Sequence, residues 1–130
     1  MGKTKRRRNK AITIRMNDAE YDALFTKKKP IIFAYHGYPH LIHQLAYKHT
    51  NKNIHVHGYK EEGTITTTFD MKVQNHLDRF HLVMDALKYL PQLGESRSAL
   101  IEWCKDKLIE HKEYISEYGM DLPEIRDWQW

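Results

Sequence analysis

At 130 residues, 41% of them hydrophobic, the chain has the length of one domain and can bury a core without metals or disulfides. The single cysteine, Cys104, excludes an internal disulfide framework and suits a reducing cytosol. No apolar run reaches the length of a membrane span, and no apolar stretch follows the basic N-terminus as a secretory signal requires.

The net charge of +4 hides an asymmetry. Residues 1–29 hold ten Lys or Arg against three acids, so a leader of +7 precedes a body of −3. Such a leader is either a solvated tail or a nucleic-acid contact. Residues 1–10 (MGKTKRRRNK) read as disordered. Ala11–Met16 alternates apolar and polar, which predicts a short strand with Ile12, Ile14 and Met16 on one face. Asn17 and Glu20 have capping-box spacing, so a helix is expected over about 18–25. Pro30 breaks the chain after the lysines at 27–29.

Ile31–Tyr35 (IIFAY) is a continuous apolar run, as in a parallel strand buried on both faces. His36, Gly37 and Tyr38 form a turn, and Pro39 fits the first turn of a helix running to about His49. Ile54–Tyr59 (IHVHGY) alternates and predicts a second strand, followed by a polar loop over residues 60–68. The apolar spacing of Val73, Leu77, Phe80, Met84 and Leu87 predicts one long helix from near Asp70 until Pro91 and Gly94 end it. A second long helix is expected from about Ser96 to Tyr118, with Leu100, Cys104, Leu108 and Ile115 on one stripe and Gly119 as the stop. Trp128 and Trp130 in the tail call for an apolar surface to dock on. The body therefore orders as β-α-β-α-α. A parallel pair needs neighbouring strands and helices on both faces, so this order supplies too few strands for its helices.

Several long words carry a resemblance: DAEYDALFTKKKPIIFAYHGYPHLIHQLAYKHTN (18–51), HVHGYKEEGTITTTFDM (55–71), LDRFHLVMD (77–85), DKLIEHKEYI (106–115) and DLPEIRDWQW (121–130). From about Asn17 to Trp130 the chain resembles the C-terminal end of thiamine-diphosphate-dependent phosphoketolases. Thr68 stands where that family often has Pro, and His40 where an aromatic is common. The resemblance implies an α/β fold: a partial, transketolase C-terminal-like three-layer domain over residues 17–130, with a disordered basic arm over residues 1–16. It implies a cytoplasmic enzyme family that cleaves xylulose 5-phosphate, and often fructose 6-phosphate, with inorganic phosphate to acetyl phosphate and an aldose phosphate. Thiamine diphosphate and Mg belong to the full-length family. None is expected on this part, because the sequence contains no Gly-Asp-Gly segment to hold the diphosphate and its metal.

Residues 1–25 (through KRRRNKAITIRMNDAEYDAL) resemble the start of ribbon-helix-helix plasmid mobilisation proteins. That likeness would place Thr13 and Arg15 against DNA bases and Arg6, Arg7 and Arg8 on phosphates. Three readings follow: a phosphoketolase C-terminal part inactive alone, a small basic DNA-binding protein, and a docking module for intact phosphoketolase subunits.

Within the body, the turn His36-Gly37-Tyr38 follows a buried strand, where α/β sheets place ligands. It is a candidate for facing a site or a subunit interface, against the plainer reading of a tight turn that needs Gly37 for backbone freedom. Lys60, Glu61 and Glu62 either line an interface or form an exposed charged loop. Zinc would need three or four convergent ligands; the pairs His40/His43 and His55/His57 read sooner as structural or hydrogen-bonding groups. Cys104, on an apolar stripe, reads as a small buried hydrophobe.

Overall fold

The computed structural model describes residues 16–60 and 65–129. The strand expected from Ala11 therefore lies outside the described residues, apart from Met16, as do Trp130 and most of the basic arm.

Helix α1 (Asp18–Phe25) starts on the expected capping box: Glu20 N donates to Asn17 Oδ1 at 2.9 Å, and Asn17 N donates to Glu20 Oε2 at 2.9 Å. Its one buried side chain, Tyr21, stacks on His49 with ring centroids 3.9 Å apart. This fixes α1 against the segment after α2 (Pro39–Ala46), which begins with Pro39 in the first turn. The buried amide of Asn51 completes the link, donating to the carbonyls of Phe25 (3.1 Å) and Lys29 (2.9 Å) and accepting from Asn53 N (2.9 Å).

Strands β1 (Ile31–Ala34) and β2 (Ile54–His57) pair in parallel, Ile31 opposite Ile54 and Ala34 opposite His57. The chain is thus a mixture of helices and one small parallel sheet, an α/β arrangement. β1 is half-buried rather than enclosed on both faces, and Ala34 is exposed. Among the described residues the sheet has two strands, so each has one described neighbour and less of its surface is covered than the apolar run suggested.

The single long helix expected over residues 70–90 is two helices, α3 (Thr68–Gln74) and α4 (Arg79–Lys88). Two caps compete successfully with the apolar periodicity. At the end of α3, His76 adopts φ 55°, its N–H reaches Val73 O (3.1 Å), and Leu77 N reaches Lys72 O (2.8 Å). This is a Schellman cap with histidine where glycine is usual. Two residues after His76, the buried Asp78 carboxylate accepts from Phe80 N (2.9 Å) and His81 N (3.2 Å) and starts α4.

Helix α5 (Gly94–Tyr118) ends at Gly119, in the left-handed region at φ 66°, as expected. α4 packs between β1 and α5. Beneath α4 the core gathers Phe80, Cys104, Leu122 and Ile125, with Phe69, Met84, Leu108 and Tyr114 around them. Ile125 comes from α6 (Pro123–Arg126), which folds the tail back onto this cluster. Burial raises the pKa of the Cys104 thiol, with the Asp78 carboxylate adding to the effect, consistent with an inert core residue. Among the described residues, no helix is long and apolar enough to cross a membrane.

Candidate functional site

Because β1 and β2 run in parallel, their carboxyl ends open on the same edge, where ligands gather in α/β sheets. The turn after β1 and the loop after β2 are tied together there. Tyr35 N donates to His57 O (2.9 Å), Tyr59 N donates to Gly37 O (2.9 Å), and the His36 and Tyr59 rings meet edge to face at 4.9 Å. Gly37 is needed for space and not for backbone freedom. Its φ is not positive, but an added Cβ would stand 2.5 Å from the Tyr35 ring. A Cβ on Gly58 would collide with the Gly37 carbonyl oxygen. Tyr38 is exposed and stacks on His40. Lys60 N donates to Asn75 Oδ1 (2.9 Å), which joins this edge to the α3–α4 corner.

That corner adds a group of histidines. His57, the last residue of β2, donates from Nε2 to the Asp85 carboxylate, which also receives the Lys88 ammonium. His81 donates from Nδ1 to Asp78. His76 lies flat against His81, ring centroids 4.2 Å apart and planes 11° apart. The three imidazoles border a cleft of about 300 Å³ whose other walls are Met84, Asp85, Lys88, Ile101 and Lys105. Burial lowers the pKa of His76, and the neighbouring His81, Lys60 and His57 lower it further against the opposing pull of Asp78. Burial works to raise the pKa of Asp85, but its hydrogen bonds to Lys88 and His57 outweigh this and bring it down.

Of the residues singled out from sequence, the structure brings His36, Gly37 and Lys60 to this edge and places Tyr38 beside them. Glu61, Glu62, Arg6, Arg7, Arg8, Thr13 and Arg15 lie outside the described residues. The paired histidines have separate partners: His55 Nε2 lies 3.0 Å from Asn53 Oδ1 and 2.5 Å from the Tyr89 hydroxyl, while His57 is held by Asp85. Among the described residues, no group of three or more His, Cys, Asp or Glu is placed to hold a metal.

Sequence reasoning missed His76, His81, Asp78 and Asp85, and also His111. His111 is fully buried, its Nε2 3.1 Å from Asp70 Oδ1 and its Nδ1 without a described hydrogen-bond partner. The i,i+3 spacing of Asp78 and His81 and the place of His111 on the stripe of Cys104 and Leu108 were the available signals. In the tail, Trp128 docks under the Arg79 guanidinium, 4.5 Å from its ring centroid.

The comparisons with known proteins agree with the resemblance. A family model described as XFP C-terminal domain matches residues 4–130. A protein of Clostridium acetobutylicum named "Probable phosphoketolase" is 60% identical over 115 residues, which is 88% of this chain and 14% of that protein. Its namesake in Nitrosomonas europaea is 60% identical over 116 residues, 88% of this chain and 15% of the relative. One from Bradyrhizobium diazoefficiens is 53% identical over 116 residues, again 88% and 14%. The chain therefore spans about one seventh of the length of the curated relatives it matches.

Proposed function

Since this chain belongs to the XFP C-terminal domain family, we propose that it serves as the terminal domain of a cytoplasmic phosphoketolase and performs no cleavage by itself. The whole enzyme, on this reading, converts xylulose 5-phosphate or fructose 6-phosphate and inorganic phosphate into acetyl phosphate and an aldose phosphate. The observation that carries the reading is 60% identity across 88% of the chain to proteins several times its length. The two-stranded sheet, with α4 and α5 stacked behind it, fits as part of a three-layer, transketolase-like terminal domain whose remaining strands lie elsewhere in the enzyme. Its natural partners are then phosphoketolase subunits.

Thiamine diphosphate supplies the carbanion chemistry of such an enzyme, and its diphosphate needs a metal held by protein ligands. The residues here do not fit that task. The sequence has no Gly-Asp-Gly segment, and the described carboxylates near the cleft are already engaged by His57, Lys88 and His81. No step of the cleavage is assigned to them.

A chimera tests the reading. Residues 17–130 replace the matching region of the Clostridium acetobutylicum relative, and cofactor-dependent acetyl phosphate formation is measured. We expect activity within about tenfold of the parent, a penalty of about 1.4 kcal/mol on the barrier. A folded chimera with no activity contradicts the proposed role.

A further inference from the structure

We propose that the cavity between α4, α5 and the tail binds a small aromatic carboxylate, with the ring inside the cavity and the carboxylate on Arg79. The inference concerns this chain's own side chains and goes beyond the phosphoketolase reading without resting on it.

The walls argue for the ring. Phe80 and Val83 of α4, Trp103 and Cys104 of α5, Ile125 of α6 and Trp128 line a space of about 210 Å³. An apolar cavity of about 150 Å³ is enough to take benzene, so this one has room for a single ring or two fused rings. Three of the six walls are aromatic. Phe80 and Trp103 already meet edge to face at 5.7 Å, and both tryptophans are half-exposed. An aromatic guest extends this packing and takes apolar area of both indoles out of water.

Arg79 argues for the carboxylate. Its guanidinium is half-buried and stacked against rings, 4.5 Å from the centroid of Trp128, 5.5 Å from Phe69 and 5.6 Å from Phe80. Charged groups withdrawn from water are usually paired. Among the described residues, no carboxylate pairs with Arg79. Stacking occupies the faces of the guanidinium and leaves its N–H edge for a planar acceptor.

The surrounding charges favour an anion. Glu124, the acid at the cavity, pairs with Lys107. An adjoining groove shares Arg79, Ile125 and Trp128 with the cavity and adds Lys72, which also has no ion pair among the described residues. In that groove Asp121 accepts from the Thr67 hydroxyl, and Arg126 pairs with Asp127. Two uncompensated cations therefore stand where the apolar space meets the groove. A phosphoryl dianion suits the place less. Bringing two charges against apolar walls costs more than bringing one, and a carboxylate matches the guanidinium edge in shape.

The test uses the full chain with isotope-labelled tryptophans, and the indole N–H signals are followed by NMR. Indole-3-acetate is titrated beside indole, which lacks the carboxylate, and beside acetate and inorganic phosphate, which lack the ring. Saturable shifts at Trp103 and Trp128 are expected with indole-3-acetate, at a Kd on the order of 1 mM. It should bind about tenfold more tightly than indole, and neither ring-free anion should reproduce the shifts. Arg79→Gln should weaken indole-3-acetate about tenfold, the worth of one hydrogen bond to a charged group, and leave indole within about twofold. Unchanged indole binding also shows that the cavity of the variant is intact. Lys72→Gln should weaken the acid by a smaller factor. Indole-3-acetate binding no more tightly than indole, shifts matched by acetate or phosphate, or equal affinity in Arg79→Gln overturns the proposal. Binding seen only in Trp130→Ala would assign the cavity to that side chain and overturns it as well.

Discussion

Replacing Phe80 with alanine should cost about 4 kcal/mol of folding stability and lower the thermal midpoint by roughly 15 °C. Phe80 is 5% exposed and stands at the meeting point of three elements. It packs with Cys104 from α5 and with Leu122 and Ile125 from the tail. Its ring meets Phe69 edge to face at 6.3 Å and Trp103 at 5.7 Å. Truncation removes the apolar area and leaves a void that α4, held at its start by the Asp78 cap, cannot close by shifting. Phe80→Leu should lose less than half as much. Urea unfolding of both variants checks this; a cost below about 1 kcal/mol for the alanine would mean that the tail does not pack on α4 as described.

Asp78→Ala should cost about 3 kcal/mol. Its carboxylate is wholly buried, accepts two backbone N–H groups at the start of α4 and receives the His81 Nδ1 hydrogen. Alanine leaves all three donors without it in a site of low exposure. Asp78→Asn retains a side-chain oxygen for the cap and loses the charge and the acceptor facing His81 Nδ1, so about 1 kcal/mol is expected. Equal losses in the two variants, measured by urea unfolding, would assign the stabilisation to the hydrogen bond with His81 and not to the cap.

How much of this was legible in the sequence depends on the range of the signal. Local devices were readable. The Asn17–Glu20 capping box, Pro39 at a helix start and Gly119 at a helix end act within a few residues, and each has the position its chemistry implies. The break between α3 and α4 was hidden because Val73, Leu77 and Phe80 continue the apolar rhythm through it. The rhythm reports which residues face the core and is silent on whether the backbone between them stays helical. Asn75, His76 and Asp78 carried the cap information, and cap residues are weak signals beside an unbroken stripe.

The histidine cleft was illegible for the same reason. His57 and His81 are brought together only because the chain turns at His76, and the sequence predicted no turn there. Gly37 shows a different case: the turn was read from the sequence, but its constraint is the neighbouring Tyr35 ring and not a left-handed backbone. A collision between residues two apart in a turn cannot be inferred from composition or spacing. The family relationship, in contrast, was fully legible, because words such as FAYHGYP and LDRFHLVMD are long enough to identify it.

The most direct test of the account is an assay of the purified chain with xylulose 5-phosphate, inorganic phosphate, thiamine diphosphate and Mg²⁺, reading acetyl phosphate. The account predicts no product above a control without cofactor. Cofactor-dependent acetyl phosphate from the chain alone would contradict it, since the chain would then hold and use the cofactor without a Gly-Asp-Gly segment.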